Sequence, residues 1–377
     1  MTKRVSLFII AACILLSGAG IFFYHKQITK SKTQINPIFT SIINKITVPT
    51  DTPDAPVIIE SPTVASSSFS LLAFGDIMLD RSVMLKTQAA GDWNHPFLLI
   101  DPLLQEYDVR VANLEGPITN FKSIANGTGG ARFTFTFSPN FVEPLKNRFE
   151  VFSLANNHAH NFGQAGLDQT RKFFGDAGVK YFGGPENTVG NISTTSSYNG
   201  VILGFVGHHQ LVEKGFENVI AEIKRLDHEV DLLIAMPHWG IEYEQINPSY
   251  LQKKEAHEMI DAGVDLILGA HPHVVQPIEI YKDKVIFYSQ GNFIFDQYFS
   301  EETMTGLAVG MNIEKINGVV QMKYKLIPLD INKQSQPSVA ADPKKQKVLD
   351  HLYKYSLVEQ IIKDQMKTGE FQNQYSL

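Results

Sequence analysis

Five apolar runs of strand length in this chain end in side chains that hold metals or protons, and this pattern restricts the possible folds most. FSLLAFGD stops at Asp76, DVRVANLEGP at Glu115, VFSLANNH at Asn157 and His158, DLLIAMPHWG at His238, and VDLILGAHPH at His271 and His273. In extended backbone, residues i and i+2 lie on one side, so His271 and His273 can face a single ion. Strand ends that gather Asp, Glu, Asn and His point to a metal-centred site along the carboxyl edge of a sheet, where open α/β folds place their ligands. The only cysteine, Cys13, lies in an apolar segment near the N-terminus. The folded region therefore has no internal disulfide or cysteine-built zinc site, and its ligands are oxygen and imidazole nitrogen.

Between and after these runs, helical patterns are expected over Pro96–Tyr107, Pro139–Arg148, Gly163–Ala177, Gly215–Glu229 and Pro248–Ala262. Alternation of this kind predicts a layered α/β domain over residues 68–332. Near its end KVIFYSQGNFIFD, MTGLAVGMNIEKING and VVQMKYKLIPLDI read as consecutive strands, with Asn317-Gly318 as a hairpin turn. At 44% hydrophobic content, 377 residues suffice for one large core with appendages. Residues 333–377 form a polar linker, and a helix start at Asp342-Pro343 then leads into Val348, Leu352, Tyr355, Val358, Ile362 and Met366 at helical spacing. This predicts one amphipathic helix packed on the domain or on a partner.

Lys3 and Arg4 precede an uncharged stretch from Val5 to Tyr24. A helix of about twenty residues crosses a hydrocarbon core of ~30 Å, so residues 1–24 are expected to be an uncleaved membrane anchor. The competing readings are a signal peptide cut near Ser17-Gly18-Ala19 and a lipoprotein signal ending at Cys13, but the apolar run continues past both points. Lys26, Lys30 and Lys32 rival Lys3 and Arg4, so the positive-inside count does not set the orientation. Residues 25–67 are rich in Thr, Ser, Pro and Lys and read as a tether; as a flexible coil it would span on the order of 35 Å. A net charge of -6 leaves no basic footprint, which argues against nucleic acid as a partner and leaves local cations to hold any polyanionic substrate.

The blocks FGDIMLD, VANLEGPIT, LANNHAHNFG, MPHWGIEY, GAHPHVVQPIE and YSQGNFIFD, in this order, resemble the poly-gamma-glutamate capsule-synthesis (CapA-like) family, itself similar to calcineurin-like metallophosphoesterases. The resemblance covers roughly residues 69 to 330. It implies a four-layered α/β/β/α sandwich, an extracytoplasmic domain on its anchor, and a role in making, exporting or releasing an anionic surface polymer. It further implies that Asn157 places its amide oxygen on a metal, that His158 stands near the leaving group, and that His238, His271 and His273 are later ligands. Asp76 matches the carboxylate of the first strand, but the usual Asp-x-His opening is absent because Ile77 and Met78 follow. Glu115 could replace the missing ligand, or the site could hold a single ion. Asn161 stands where an acidic residue is expected, Asn292 is a candidate donor behind the ligands, and Trp239 either packs against them or floors a substrate cleft.

Each residue also has a plainer role open to it: a turn for His271 and His273, a helix cap for Asp76, backbone amides for Glu115. Two functions remain. One is a hydrolase or transferase carrying one or two Mn, Fe or Zn ions, which mixed imidazole and carboxylate ligands suit, and acting on an anionic polymer or a phosphoester. The other is a non-catalytic scaffold among capsule synthase or export subunits. The anchor reading predicts that the mature protein keeps Met1 to Arg4, fractionates with the lipid bilayer, and exposes the domain to protease added outside cells. Intact mass distinguishes this from a chain beginning near Gly20 or an acylated Cys13. A domain protected in sealed cells would place the site in the cytoplasm.

Overall fold

The computed structural model describes residues 66–125 and 133–372. The expected anchor and nearly all of the tether lie outside the described residues. Among the described residues no helix is long and apolar enough to cross a membrane. In chain order the strands are β1 (Ser66–Ile77), β2 (Val109–Leu114), β3 (Val151–Ser153), β4 (Lys180–Phe182), β5 (Ser193–Tyr198), β6 (Val201–His209), β7 (Leu232–His238) and β8 (Leu266–Leu268). They continue with β9 (Ile278–Tyr281), β10 (Lys284–Phe287), β11 (Asn292–Ile294), β12 (Thr305–Ile316), β13 (Val319–Ile331), β14 (Pro337–Val339) and β15 (Glu370–Gln372). The α-helices are α1 (Arg81–Ala90), α2 (Asp101–Leu104), α3 (Val142–Lys146), α4 (Gly163–Ala177), α5 (Phe216–Leu226), α6 (Tyr250–Asp261), α7 (Lys344–Tyr355) and α8 (Gln360–Met366).

One sheet runs β14-β13-β12-β1-β2-β3-β4, with β11 paired to β1 and β15 to β13, and the other runs β5-β6-β7-β8-β10-β9. Strands β1 to β4 are mutually parallel, as are β6, β7 and β8. The apolar runs are continuous because these strands are buried on both faces. In β1, Leu71 and Ala73 point between the sheets, while Leu72 and Phe74 point to the outer helices. In β7, Leu232, Ile234 and Met236 face inward and Leu233 and Ala235 outward. Outside the first sheet lie Val83 and Met84 of α1, Leu145 of α3 and Phe174 of α4; outside the second lie Val219 and Ile223 of α5 and Met259 of α6. The layers are therefore helices, sheet, sheet, helices, the order that the family resemblance implies.

Local chemistry explains the helix boundaries. Ser249 and Gln252 form a reciprocal capping box that starts α6, and Gly178 in the left-handed conformation ends α4. The expected helix over Pro96–Tyr107 is reduced to a 3-10 turn, His95–Phe97, and the short α2. The single C-terminal helix expected over residues 333–377 is corrected to two. At the break, Ser356 is extended, its Oγ accepts from the Ile278 N–H at 2.9 Å, and the Leu357 N–H donates to Ile278 O at 2.7 Å. The chain here pairs beside β9 instead of continuing the helix, because tertiary pairing outweighs the apolar periodicity.

Gly269, which ends the run before His271, has no room for a side chain: a Cβ would lie 2.1 Å from Tyr288 O and 2.6 Å from Trp239 Nε1. Gly175 in α4 would meet nothing within 4 Å. Gly269→Ala should lower unfolding stability by about 1–3 kcal/mol, the usual span for overpacking. Gly175→Ala should be neutral or stabilising by up to about 1 kcal/mol. Denaturant midpoints measured on both variants check the contrast.

Candidate metal centre

The carboxyl ends of β1, β2 and β3 meet those of β7 and β8, so residues remote in sequence form one cluster. Gly75 makes the first approach possible, since a Cβ there would fall 1.9 Å from Gly291 O. That contact sets β11 beside β1, with Asn292 opposite Asp76. From β2, Asn113 Nδ2 donates to Asp76 Oδ1 at 2.8 Å and lies 3.2 Å from His238 Nδ1, joining the edges of the two sheets. After β8 the backbone turns through left-handed residues, His271 at φ 97 and His273 at φ 58, conformations that side chains other than glycine seldom adopt. This strain holds the two rings 5.8 Å apart, with His271 4.6 Å from the His238 ring.

Asp76 and Glu115 are both wholly buried. Asp76 is well supplied: Oδ1 accepts from Asn113, Oδ2 accepts from the His271 N–H at 3.2 Å, and His273 Nδ1 is 3.3 Å away. Glu115 is not, because neither of its oxygens has a hydrogen-bond partner. Around its Oε1 stand the Nε2 atoms of His158 at 3.7 Å, His273 at 3.8 Å and His238 at 4.0 Å. These spacings are too long for hydrogen bonds. They suit donors sharing a cation, since ligand bonds of about 2.0–2.2 Å separate neighbouring ligand atoms by roughly 3–4 Å. Three groups have ligand atoms within 4.8 Å of one another: Glu115, His238 and His271; Asp76, Glu115 and His273; and Glu242, His271 and His273. Glu115 belongs to two of them, and His271 Nδ1 is also buried without a partner. The donor set therefore fits a divalent metal.

Burial and mutual repulsion set the protonation states. Glu115 is raised well above the carboxylate range by burial and by Asp76. His238 is driven well below its usual value by burial and by His271, and His271 falls to about 3 through burial and the nearby His273. Burial also opposes charge on His273, but Glu115 and Asp76 outweigh it and lift the ring to about 9. Burial brings His158 down to about 4. Most of the imidazoles are thus neutral and ready to donate to an ion, while Glu115 and His273 form a coupled pair holding a proton that an ion would displace.

The remaining expected residues surround this set. Asn157 Oδ1 lies 2.9 Å from His238 Nε2. Asn161 Oδ1 lies 3.1 Å from His158 Nδ1 and also accepts from the Phe135 N–H, so a neutral amide orients the ring. Asn292 Oδ1 is 3.0 Å from His273 Nδ1. Trp239 is wholly buried in the core outside the second sheet and donates its indole N–H to Tyr288 O at 2.7 Å, so it floors no substrate cleft. Sequence reasoning missed three residues. Asn113 interrupts an apolar strand two residues before Glu115, and that signal could have found it. Asn156 donates to Asn113 Oδ1 and Leu114 O, and its polar place beside Asn157 is a weaker sign. Glu242 lies within the block MPHWGIEY, but it ends no apolar run and follows no periodic pattern that would single it out.

Residues 70–297 match the family described as Bacterial capsule synthesis protein PGA_cap. The chain is 31% identical to the PGA biosynthesis protein CapA of Bacillus subtilis, covering 77% of this chain and 80% of that protein. It is 29% identical to the Capsule biosynthesis protein CapA of Bacillus anthracis, covering 77% of this chain and 74% of that protein. Among solved structures, the calcineurin-like phosphoesterase YfkN from Bacillus subtilis is 15% identical, covers 70% of this chain and 91% of that chain, and gives a TM-score of 0.39.

If the centre takes an ion, replacing His271 and His273 together by alanine should strip it while leaving the far-UV circular dichroism of the wild type, because the site lies at an edge and the inter-sheet core survives its loss. Uptake at pH 7 should release protons, and affinity should weaken as pH falls, because below about 9 an ion must displace the proton on His273. Calorimetry in two buffers of different ionisation enthalpy measures the release. Wild-type protein that stays metal-free after exposure to Mn, Fe and Zn would refute the centre.

Proposed function

The chain belongs to the bacterial capsule synthesis protein family, and on that basis we propose that it serves the synthesis, export or release of an anionic capsule polymer of the poly-γ-glutamate type. Its working part in this proposal is a metal-dependent hydrolase or transferase site at the edge of the two sheets. The observation that carries this reading is Glu115, buried with both oxygens unpartnered and ringed by three imidazole nitrogens. One or two Mn, Fe or Zn ions bound there would polarise a phosphoryl or acyl oxygen and lower the pKa of a bound water.

The chain's own residues supply orientation and a proton. Asn113 holds Nδ1 of His238, which leaves Nε2, beside Asn157 Oδ1, for an ion, and Asp76 fixes the turn after β8 through the His271 amide. His158 has Nδ1 against Asn161, its ring 4.3 Å from Phe135, and its side chain 13% exposed, so Nε2 is positioned yet reachable. Since burial keeps the ring neutral at rest, an arriving negative charge is what raises it enough to carry a proton to a leaving group. The reading also places the domain outside the cell on an uncleaved membrane anchor, where it meets polymer and neighbouring synthase or export subunits.

A second reading has an observation of its own. Ile77 and Met78, both wholly buried, fill the strand end where an Asp-x-His opening would carry its histidine. A scaffold or binding subunit that holds an ion only structurally would tolerate this. Turnover decides between the two: metal-loaded full-length chain is tested on phosphoesters and γ-glutamyl amides, and ion retention without turnover favours the scaffold. If the site is catalytic, His158→Asn should keep its metal yet lower turnover by roughly 10²- to 10⁴-fold on a substrate with a poor leaving group. The loss on a nitrophenyl ester should be smaller, and equal losses on both substrates would remove the acid role.

A further inference from the structure

Arg81 is held beside the metal centre in a way that a simple ion pair does not require. It opens α1 at φ 50, in the left-handed region that an arginine seldom occupies. Its Nη2 donates to Asp296, whose other oxygen accepts from the Ser82 N–H at 3.0 Å. The guanidinium carbon lies 5.0 Å from the centre of the Phe135 ring and 5.6 Å from that of Phe295. These two rings back the metal centre: Phe135 is 4.3 Å from the His158 ring and Phe295 is 4.9 Å from the His273 ring. A guanidinium carries five donors in a fixed fork. Here Asp296 takes one, Nε is buried with no partner, and the side chain keeps 17% exposure. The charge also acts on Glu115, His158 and Tyr243, which places it within electrostatic reach of three groups of the site.

We propose that Arg81 receives an oxyanion of the substrate, carboxylate or phosphoryl, next to the metal centre. The proposal rests on reading that centre as a substrate site. Asp296 and the two rings then serve to fix the fork before the substrate arrives, which limits the entropy lost on binding. The strained backbone at position 81 is explained in the same way, since it starts the side chain on the wall shared by Phe135 and Phe295.

The test is calorimetric binding of two probes, inorganic phosphate and γ-glutamyl-glutamate, to the full-length chain, both metal-loaded and after chelation. Arg81→Gly suits the left-handed backbone and so removes the side chain without adding strain; Arg81→Lys keeps the charge but loses the fork. Metal content is measured on every sample. Arg81→Gly should retain the ion but bind at least one probe about tenfold or more weakly, with Arg81→Lys in between. The probe that loses affinity identifies the anion as phosphoryl or carboxylate. Unchanged binding of both probes by Arg81→Gly, or no binding of either by the wild type, overturns the proposal. Failure of the metal reading shows separately as a wild type that takes up no ion. In that case a loss of probe binding by metal-free Arg81→Gly still supports the role of Arg81, and no loss overturns it.

Discussion

Two carboxylates buried side by side, Asp76 and Glu115, are the constraint around which the edge of this domain is organised. Among the described residues no lysine or arginine forms an ion pair with either of them; the basic groups within 4.0 Å of them are histidines. An ionised carboxylate out of water costs several kcal/mol unless paired or hydrogen-bonded. Asp76 meets this demand through an asparagine from the next strand and an amide from the other sheet, so its two oxygens also link the sheets. Glu115 has no such partners, and its choices are to keep a proton or to face a cation. The arrangement of the histidines follows from that pair of choices.

The strands supply stability and the loops supply the strained geometry that a site needs. Arg81, Phe162, Tyr243, His271 and His273, all in loops or at helix starts, have positive φ. The Tyr243 N–H donates to Pro272 O at 2.8 Å, its ring meets Phe299 edge-on at 5.3 Å, and Phe162 stacks on Phe121 at 5.3 Å. Such conformations persist only where neighbours over-determine them, and here the neighbours come from both sheets.

Much of this was legible in the chain. Runs such as FSLLAFGD and DLLIAMPHWG carry both the two-sided burial of a central strand and the polar residue that ends it, so strand ends and site residues could be read together. Pairings across the sheets could not be read. Asn113 reaches His238 only because two sheets pack face to face, and Glu242 comes to His271 and His273 on a loop with no periodicity. Helix α1 escaped notice because it buries only Val83, Met84 and Thr87, too few for a clear apolar stripe. The apolar spacing of the C-terminal helices runs straight through Ser356, and only the contact with β9 divides them.

That contact belongs to a segment that ties the two sheets together. Val348, Leu349 and Leu352 of α7, Ile362 and Met366 of α8, and Phe371 of β15 enter the core between the sheets. Along the way Leu357 bridges to β9 in one sheet and β15 pairs with β13 in the other. Half of the residues of the candidate centre ride on each sheet, so any sliding of one sheet over the other would change every distance between the two halves at once. Residues 344–372 oppose that shear. The segment therefore acts as a clamp on alignment: the precision of the centre depends in part on side chains that belong to neither half of it, and loosening them would blur the site before it unfolded the domain.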